Sequence, residues 1–336
     1  MIRPGPRNLI TDVAGVRVGQ AEDARVRTGV TVVLADVPAN AAVDVRGGAP
    51  GTRDTEALDA ANLVGAVDAI VLSGGSVFGL DAPSGVMSVL RAAGRGYRLA
   101  PGAPGAPIVP AAILFDLANG GDKEWGEEPP YRALGKRAAE NAGGDFALGN
   151  AGAGFGASAA IYKGGTGSAS FVADDGLTVG ALVAVNSLGS PLIPGTDVFW
   201  AFPFEQENEF GGRRLKGNFR SIDADLPEDM RAARARTNTT IAIVATDADV
   251  SRVELKRIAI MAGDGLSRAL RPAHTPFDGD IVFAMATARR PLSETRNRDV
   301  MRIGHLAADC LARAIARGVH AAETLGATRS YRDLFP

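Results

Sequence analysis

The sequence predicts an α/β fold with layered sheet and helices. From about residue 30 onward, short runs rich in β-branched residues alternate with runs that carry apolar residues at helical spacing. Glycine accounts for 42 of the 336 residues, about one in eight, against a typical usage of about 7%. With only 19 prolines, this excess predicts tight turns and close backbone approaches in a packed fold. The sequence shows no internal repeat.

The N-terminal half contains two predicted strands and two predicted helices. Residues 30–35 (VTVVLA) and Val67–Ser73 (VDAIVLS) have the composition of buried strands. Two glycines follow the second strand and lead into a predicted helix of about four turns that ends near Leu90. A shorter helix is predicted at 131–141, and two further glycines close it.

The C-terminal third repeats this alternation. Strands are predicted at 177–185, 240–246 and 281–286. Ser251 and Glu254 form an S-x-x-E capping box, which predicts a helix from there to about Leu270. A long helix is predicted at 299–317, with Gly318 just past its end.

One stretch breaks the pattern. Of the 32 residues at 205–236, 14 are charged, about twice the average of the chain, and no apolar periodicity is visible. We therefore predict a long exposed segment, and such segments are usually functional or disordered. It ends at Asn238 and Thr239, where a buried strand begins, so the chain is predicted to tolerate cleavage there without unfolding.

Charge and hydropathy exclude two classes of partner. The 36 Lys and Arg residues against 38 Asp and Glu give a net charge of −2, without the basic surface that general nucleic-acid binding requires. No apolar run approaches the roughly 18 to 20 residues that span a bilayer, and the N-terminus lacks the apolar core of a secretory signal. The sequence therefore predicts a cytoplasmic protein that binds neither nucleic acid nor membranes.

Common cofactor and metal motifs are absent or lack their context. Gly152, Gly154 and Ala157 have the spacing of a dinucleotide-binding turn, but no strand-like run precedes them and a second glycine cluster follows. The histidines are scattered, at positions 274, 305 and 320. Cys310, the single cysteine, lies in an apolar helical pattern and is expected to be buried filler. We expect no metal, no cofactor and no internal disulfide.

A hydrolase without a histidine or cysteine centre can still use a Ser or Thr freed at a new N-terminus. Thr239 fits this role, because its own α-amine, with an ordinary pKa of about 7.7, can serve as the base. Asp278 and Asp280 are two residues apart, and such positions on an extended segment project to the same side. They are candidates to hold the ammonium or hydroxyl of Thr239. The alternative is that residues 277–280 form a simple Asp-Gly turn.

Five blocks of the sequence together resemble the self-processing aminopeptidase family. They are 72–81 (LSGGSVFGLD), 109–112 (VPAA), 163–167 (KGGTG), 238–241 (NTTI) and 271–280 (RPAHTPFDGD). This family contains the L-aminopeptidase/D-Ala-esterase-amidases, the β-aminopeptidases and the nylon-oligomer hydrolases, and the resemblance runs from about residue 8 to 330. It implies one αββα sandwich domain of four layers over 1–336. It further implies cleavage between Asn238 and Thr239 into fragments 1–238 and 239–336, and a homotetramer of cleaved pairs.

The resemblance also implies the catalytic residues. The nucleophile position of the family falls on Thr239, and its paired polar residues fall on Asp278 and Asp280. The Lys and the Asn of the nylon-oligomer branch fall on Lys163 and Asn186, whereas the β-aminopeptidase branch has a Ser nucleophile with Ser and Glu companions. Asn186 is expected to donate to the oxyanion, and Lys163 to bring positive charge near that oxygen or near the two aspartates. Without the resemblance, Asn186 would be interpreted as a strand-end turn residue and Lys163 as a surface lysine.

We therefore predict an amide-bond hydrolase that acts through an acyl-enzyme on Thr239. Its expected substrates are short peptides, amino-acid amides or ω-amino-acid oligoamides such as 6-aminohexanoate oligomers. A related alternative is an acyltransferase of the ornithine acetyltransferase type, which also cleaves itself before a Thr, but in an Ala-Thr context. A catalytically silent scaffold of the same fold is the third hypothesis, and the complete set of five residues argues against it.

Overall fold

The structure, a computed structural model, describes residues 2–216 and 238–336. The strands are β1 (Ile2–Arg3), β2 (Val16–Asp23), β3 (Thr28–Val45), β4 (Thr52–Arg53), β5 (Val67–Ser73), β6 (Ala111–Ile113), β7 (Ser158–Ala159), β8 (Tyr162–Lys163), β9 (Gly165–Ala173), β10 (Thr178–Val185), β11 (Ile241–Ala248) and β12 (Ile281–Arg290). The α-helices are α1 (Ala82–Ala92), α2 (Tyr131–Glu140), α3 (Arg252–Ala262), α4 (Asp264–Ala269), α5 (Arg296–Ala321) and α6 (Tyr331–Leu334). No helix in the described part of the chain is both long and apolar enough to cross a bilayer.

The sheet connects strands that are distant in sequence. Its order is β1, β9, β10, β11, β12, β3, β5, β6, β4, with β2 paired to β3 and with β7 and β8 forming a separate hairpin. The long strand β3 pairs with β2 and β5 through its first half and with β12 through its last residues. Strands β11 and β12 are parallel, with Ile241 opposite Ile281. The residues just before these two strands therefore lie side by side.

Buried apolar side chains form three clusters. The largest packs α3, α4 and α5 against strands β9 to β12. The second joins side chains of β2, β3 and β5 to side chains of β10, β11 and β12. The third packs α1 and α2 against β3 and β5. Neighbouring residues of a central strand, such as Leu182 and Val183, belong to different clusters, so both faces of that strand are buried.

Most of the elements predicted from sequence are confirmed. Strand β5 has the predicted bounds, and the runs predicted at 30–35, 177–185, 240–246 and 281–286 overlap β3, β10, β11 and β12. The capping box is present: Ser251 Oγ accepts the N–H of Glu254, and the carboxylate of Glu254 accepts the N–H of Ser251. Cys310 is fully buried, as expected.

Two helices are shorter than the sequence predicts. The helix expected after the glycines of β5 begins as a 3-10 segment, Ser76–Asp81, and becomes α-helical only at Ala82. Pro83 stands in the first turn of α1, where its missing N–H costs nothing. The helix expected from Ser251 to Leu270 is divided into α3 and α4 at Gly263, since glycine has the weakest helix propensity after proline.

Gly318 lies inside helix α5, so the prediction that it ends this helix is wrong. The helix passes over β9 at two strand glycines. A Cβ on Gly167 would lie 1.8 Å from the carbonyl oxygen of Ala314, and a Cβ on Gly165 would lie 2.5 Å from that of Gly318. Helix and strand thus touch backbone to backbone, and the absence of side chains at these glycines permits this contact.

The prediction of an exposed segment is wrong for Glu205 and Phe210, which are buried, whereas Glu207, Asn208 and Gly211 are exposed as predicted. Phe210 is buried in the largest cluster, and the carboxylate of Glu205 accepts the N–H groups of Phe210 and Gly212 at 3.0 and 2.9 Å. Glu209 pairs with the fully buried Arg313 of α5, at an N to O distance of 2.6 Å. The charges of Glu205 and Glu209 are therefore satisfied internally, which a count of charged residues does not reveal. The predicted segment from 217 to 236 lies outside the described residues.

The contact between α5 and β9 leads to a stability prediction. Gly167→Ala forces the helix away from the strand, because the added Cβ overlaps the Ala314 carbonyl. We expect a loss of about 1 to 3 kcal/mol in the free energy of unfolding, measured by chemical denaturation. Gly143→Ala is the control, because a Cβ there meets no atom within 4 Å. Equal stability of the two variants would contradict the close contact.

Candidate active site

Thr239 is held in place by backbone hydrogen bonds on both sides. It lies two residues before the start of β11, at the point where β10 ends and β12 begins, and only 3% of its surface is exposed. Its N–H donates to the carbonyl oxygen of Asn186 at 2.7 Å. The carbonyl oxygen of Asn238 accepts the N–H of Gly279 at 2.8 Å. The peptide bond between Asn238 and Thr239 is thus fixed and its carbonyl is polarised by a backbone donor.

Gly279 also explains why the threonine side chain fits at this point. A Cβ at position 279 would lie 2.7 Å from Thr239 Oγ1, so a larger residue would collide with the hydroxyl. From the sequence, this glycine is expected only as part of an Asp-Gly turn. The structure contains both features, since the chain turns at residues 276 and 277 and the amide of Gly279 reaches the Asn238 carbonyl.

Asp278 and Asp280 are buried and hold the backbone around Thr239. Asp280 Oδ1 accepts the N–H of Thr240 at 3.0 Å, which connects this carboxylate directly to the chain of Thr239. Asp278 accepts the N–H and the hydroxyl of Thr275 at 2.9 and 2.6 Å. Burial, followed by the negative charge of Asp280, raises the pKa of the Asp278 carboxyl. Two buried carboxyl groups thus lie next to Thr239, and burial disfavours the charged form of Asp278.

His274 belongs to this arrangement and was missed from sequence. Its Nδ1 lies 3.0 Å from Asp280 Oδ2, and its backbone N–H donates to the same oxygen at 2.9 Å. Within residues 2–216 and 238–336, its buried Nε2 has no hydrogen-bond partner. The one signal in the sequence is that His274 lies six residues before Asp280. This spacing alone does not predict a contact, which forms where the backbone of His274 adopts the left-handed conformation.

Asn186 stands where β10 ends, and its side chain is oriented by two contacts. Its Oδ1 accepts the N–H of Ser158 at 2.9 Å, and its Nδ2 donates to the carbonyl oxygen of Phe115 at 3.2 Å. An amide nitrogen carries two N–H groups. The second one makes no hydrogen bond in the part of the chain that the structure describes, so the amide retains one oriented donor.

Lys163 is almost completely buried, so the interpretation as a surface lysine is wrong. Its Nζ donates to the carbonyl oxygens of Gly164 and Gly154 at 2.8 and 3.2 Å. Burial lowers the pKa of its ammonium to about 7, and the negative charge of Asp116 partly opposes this effect. Lys163 is also paired with Ser158 across the β7–β8 hairpin, and Ser158 binds Asn186. Lys163 is thereby connected to the Asn186 side of the site, and among the described residues no ion pair links it to the two aspartates.

Asp116 is a second residue that sequence reasoning missed. It follows β6 and accepts the hydroxyl of Thr28 at 2.6 Å and the N–H of Gly75 at 2.8 Å. Burial raises the pKa of Asp116 to about 6, against the opposing effect of these hydrogen bonds. Asp116, Asn186 and Asn238 line one cavity of about 280 Å³. An acid directly after an apolar strand is the only signal in the sequence.

The structure therefore brings the sequence-predicted residues to one region in two groups, of which Asn186 and Lys163, connected through Ser158, form one. The other group consists of Thr239, Asp278 and Asp280, which are connected through the backbone of residues 238–240 and 277–280. Asn186 touches this group through its carbonyl oxygen, and its side chain faces the cavity that Asp116 lines. A hydroxyl, a polarised carbonyl, an amide donor and buried charges are thus combined, which suits chemistry on an acyl group.

Known proteins resemble this chain in sequence over nearly its whole length. The model of Peptidase family S58 matches residues 8–332. An uncharacterized aminopeptidase of Mycobacterium tuberculosis is 43% identical, with 98% of each chain covered. A 6-aminohexanoate-oligomer endohydrolase of Kocuria sp. (strain KY2) is 32% identical, with 87% of this chain and 78% of the relative covered.

Solved structures resemble the fold. A β-aminopeptidase of a Burkholderia species has a TM-score of 0.71 at 23% identity, with 98% of this chain and 90% of that chain covered. The L-aminopeptidase D-Ala-esterase/amidase of Ochrobactrum anthropi, described as a variant of the Ntn hydrolase fold, has a TM-score of 0.69 at 23% identity. Here 97% of this chain and 89% of that chain are covered. The mixed α/β fold is thus that of Ntn-hydrolase aminopeptidases.

The burial of Lys163 leads to a prediction about the pH dependence of stability. Its pKa falls from the ordinary 10.5 to about 7 on folding, so between these values the unfolded chain binds a proton that the folded chain does not. Burying the charged ammonium lowers the free energy of unfolding, and this cost is complete below pH 7 and disappears as the pH rises to 10.5. We expect the free energy of unfolding of the wild type, minus that of Lys163→Met, to rise by about 2 kcal/mol from about pH 7.5 to about pH 9.5.

Denaturant titrations at the two pH values measure this difference. Lys136→Met is the control, because it removes the same charge from an exposed position of α2. A difference between wild type and Lys163→Met that stays constant over this range would mean that Lys163 remains charged in the folded protein.

Proposed function

The chain belongs to peptidase family S58 and is a hydrolase of amide bonds, and we propose that it first cleaves itself between Asn238 and Thr239. Thr239 then becomes the N-terminal residue of the fragment 239–336 and acts as the nucleophile on substrates through an acyl-enzyme. The observation that carries this proposal is the hydrogen bond of 2.8 Å from Gly279 N–H to the carbonyl oxygen of Asn238. A donor already directed at that oxygen stabilises the negative charge that develops when the carbonyl is attacked.

The first reaction is an attack of the Thr239 hydroxyl on its own preceding carbonyl carbon. The Oγ1–C bond forms, the C–N bond to Thr239 breaks, and the hydroxyl proton passes to the departing nitrogen. The product is an ester between Asn238 and the Thr239 side chain, with a free α-amine on Thr239. Water then opens the ester, which gives Asn238 a carboxylate and restores the hydroxyl.

The second reaction uses the same hydroxyl on a substrate amide. The α-amine of Thr239 serves as the base, since its ordinary pKa of about 7.7 lies near neutrality. We propose that Asp278 and Asp280 orient this amine and hydroxyl. His274, through its contact with Asp280, fixes the position of that carboxylate. Asn186 supplies its unused N–H to the oxyanion, and Lys163 adds positive charge on the same side.

The fold is proposed to be a single domain arranged as a four-layer αββα sandwich. The three apolar clusters support this arrangement, because two of them join helices to strands and the remaining one joins strands to strands. Short peptides, amino-acid amides and ω-amino-acid oligoamides are the proposed substrates, the last by analogy with the 6-aminohexanoate-oligomer endohydrolases. The homotetramer of cleaved pairs and the cytoplasmic location stay predictions.

The self-cleavage step predicts the mass of the purified protein. The wild type should contain two chains, of residues 1–238 and 239–336, and Thr239→Ala should remain one chain because it lacks the attacking hydroxyl. Intact-mass spectrometry distinguishes the two results. Thr240→Val is the matched control, because the buried hydroxyl of Thr240 has no hydrogen-bond partner within the described structure. A single wild-type chain with full hydrolytic activity would refute the mechanism.

The role of Asn186 predicts a kinetic effect. Asn186→Ala removes the amide donor and should lower kcat by about 100-fold or more for a chromogenic amino-acid anilide. Ser187→Ala is the control, since it also loses a buried hydrogen bond, to the carbonyl oxygen of Gly189, but has no proposed role in catalysis. The two variants are compared at equal amounts of processed enzyme. An unchanged kcat in Asn186→Ala would return this residue to the role of a strand-end turn residue.

A further inference from the structure

Arg27 lies at the wall of the cavity that Asn186 and Asn238 line, and no carboxylate of the described residues forms an ion pair with it. Its guanidinium donates one hydrogen bond, from Nη1 to the carbonyl oxygen of Asn119 at 3.1 Å. Across residues 2–216 and 238–336, no carboxylate lies within ion-pair distance of it. A guanidinium carries five N–H donors in a planar fork that matches a carboxylate. Most of these donors are therefore available to a ligand in the cavity.

The backbone of Arg27 is held in an unusual conformation. Its φ is +56°, in the left-handed region that long side chains seldom adopt. Asn119 Nδ2 fixes this turn by donating to the carbonyl oxygens of Arg27 and Gly156, at 2.6 and 3.1 Å. Gly156 allows the close approach, because a Cβ there would lie 2.1 Å from the Arg27 oxygen. Such strain is retained where the surrounding structure requires it, often at ligand sites.

The charges around the cavity favour an anion. Lys123 donates to the carbonyl oxygen of Val26 and to Asn119 Oδ1, so a second cation lies next to the Arg27 turn. Asp116 is the one carboxylate on the described cavity wall, and its oxygens are already engaged by Thr28 and Gly75. Two cationic residues, Arg27 on the wall and Lys123 beside its turn, therefore accompany the one acid of the described cavity wall.

The position of Asn238 identifies which part of a substrate enters this cavity. If the chain is cut after Asn238, as proposed above, the place of that residue is taken by the acyl part of each substrate. We propose that Arg27 binds a carboxylate carried by this acyl part. The enzyme then prefers amides whose acyl residue has an acidic side chain to amides with the uncharged isostere. This inference rests on the proposed function and adds the class of acyl group.

Matched chromogenic substrates test the inference. Aspartyl and asparaginyl p-nitroanilides differ only in charge, as do glutamyl and glutaminyl p-nitroanilides. We expect processed wild-type enzyme to have a kcat/KM that is about 10-fold or more higher for the acidic member of at least one pair. In Arg27→Gln this ratio should fall to about one, mainly through the KM of the acidic substrate. Arg27→Lys keeps the charge but loses the fork, and its ratio should be intermediate.

Arg25 provides the control for the role of Arg27. Arg25→Gln should keep the wild-type ratio, because Arg25 is exposed, pairs with Asp122 and does not line the cavity. Equal kcat/KM values within both pairs for the wild type would overturn the inference even if Arg27→Gln failed to fold. So would an acidic preference that persists in Arg27→Gln. In either case hydrolysis of the uncharged amides by cleaved enzyme leaves the proposed function intact. Absence of all hydrolysis would instead contradict the proposed function, and the inference with it.

Discussion

The parallel pairing of β11 with β12 is the constraint on which the rest of the site depends. It sets Ile241 opposite Ile281, so the residues that precede each strand, Thr240 and Asp280, come together and form a hydrogen bond. The antiparallel strand β10 ends at the same place, which brings Asn186 to the N–H of Thr239. The ends of three neighbouring strands thus bring the threonine, the carboxylates and the amide together. A shift of one residue in this register would separate them.

Burial determines the electrostatic character of the site. Lys163, Asp116 and Asp278 are each almost inaccessible to water, yet each is held by hydrogen bonds from or to the protein. Removing a charge from water is costly, and these hydrogen bonds compensate only in part. The pKa values of Lys163 and Asp116 accordingly move toward neutrality from opposite directions, to about 7 and about 6. Shifts of this kind are characteristic of functional sites, where stability is given up for reactivity.

The sequence predicted β5, β10, β11 and β12 well because β-branched runs report local preference and burial together, but it missed β2 and the glycine-rich β9. It predicted the helix ends less well, because packing decides what a glycine does in a helix. Gly263 divides a predicted helix into α3 and α4, whereas Gly318 lies within α5 and contacts β9. The resemblance supplied Lys163 and Asn186, whose local patterns alone favoured surface and turn roles. His274 was missed because a contact across a turn of six residues has no periodic signature, and Asp116 was missed because its partner Thr28 is distant along the chain. Geometry identifies such groups.

The order of the strands in the sheet affects how the protein would unfold and refold after self-cleavage. Strands β11 and β12 lie downstream of Thr239, but they are inserted between β10 and β3, which lie upstream of it. A cut before Thr239 would therefore leave the sheet intact while making two molecules out of one. Refolding would then require an encounter between two partners, so it would depend on concentration and would become slow in dilute solution. After self-cleavage the folded protein would therefore depend on kinetic stability: it would last because it unfolds slowly and not because it refolds readily.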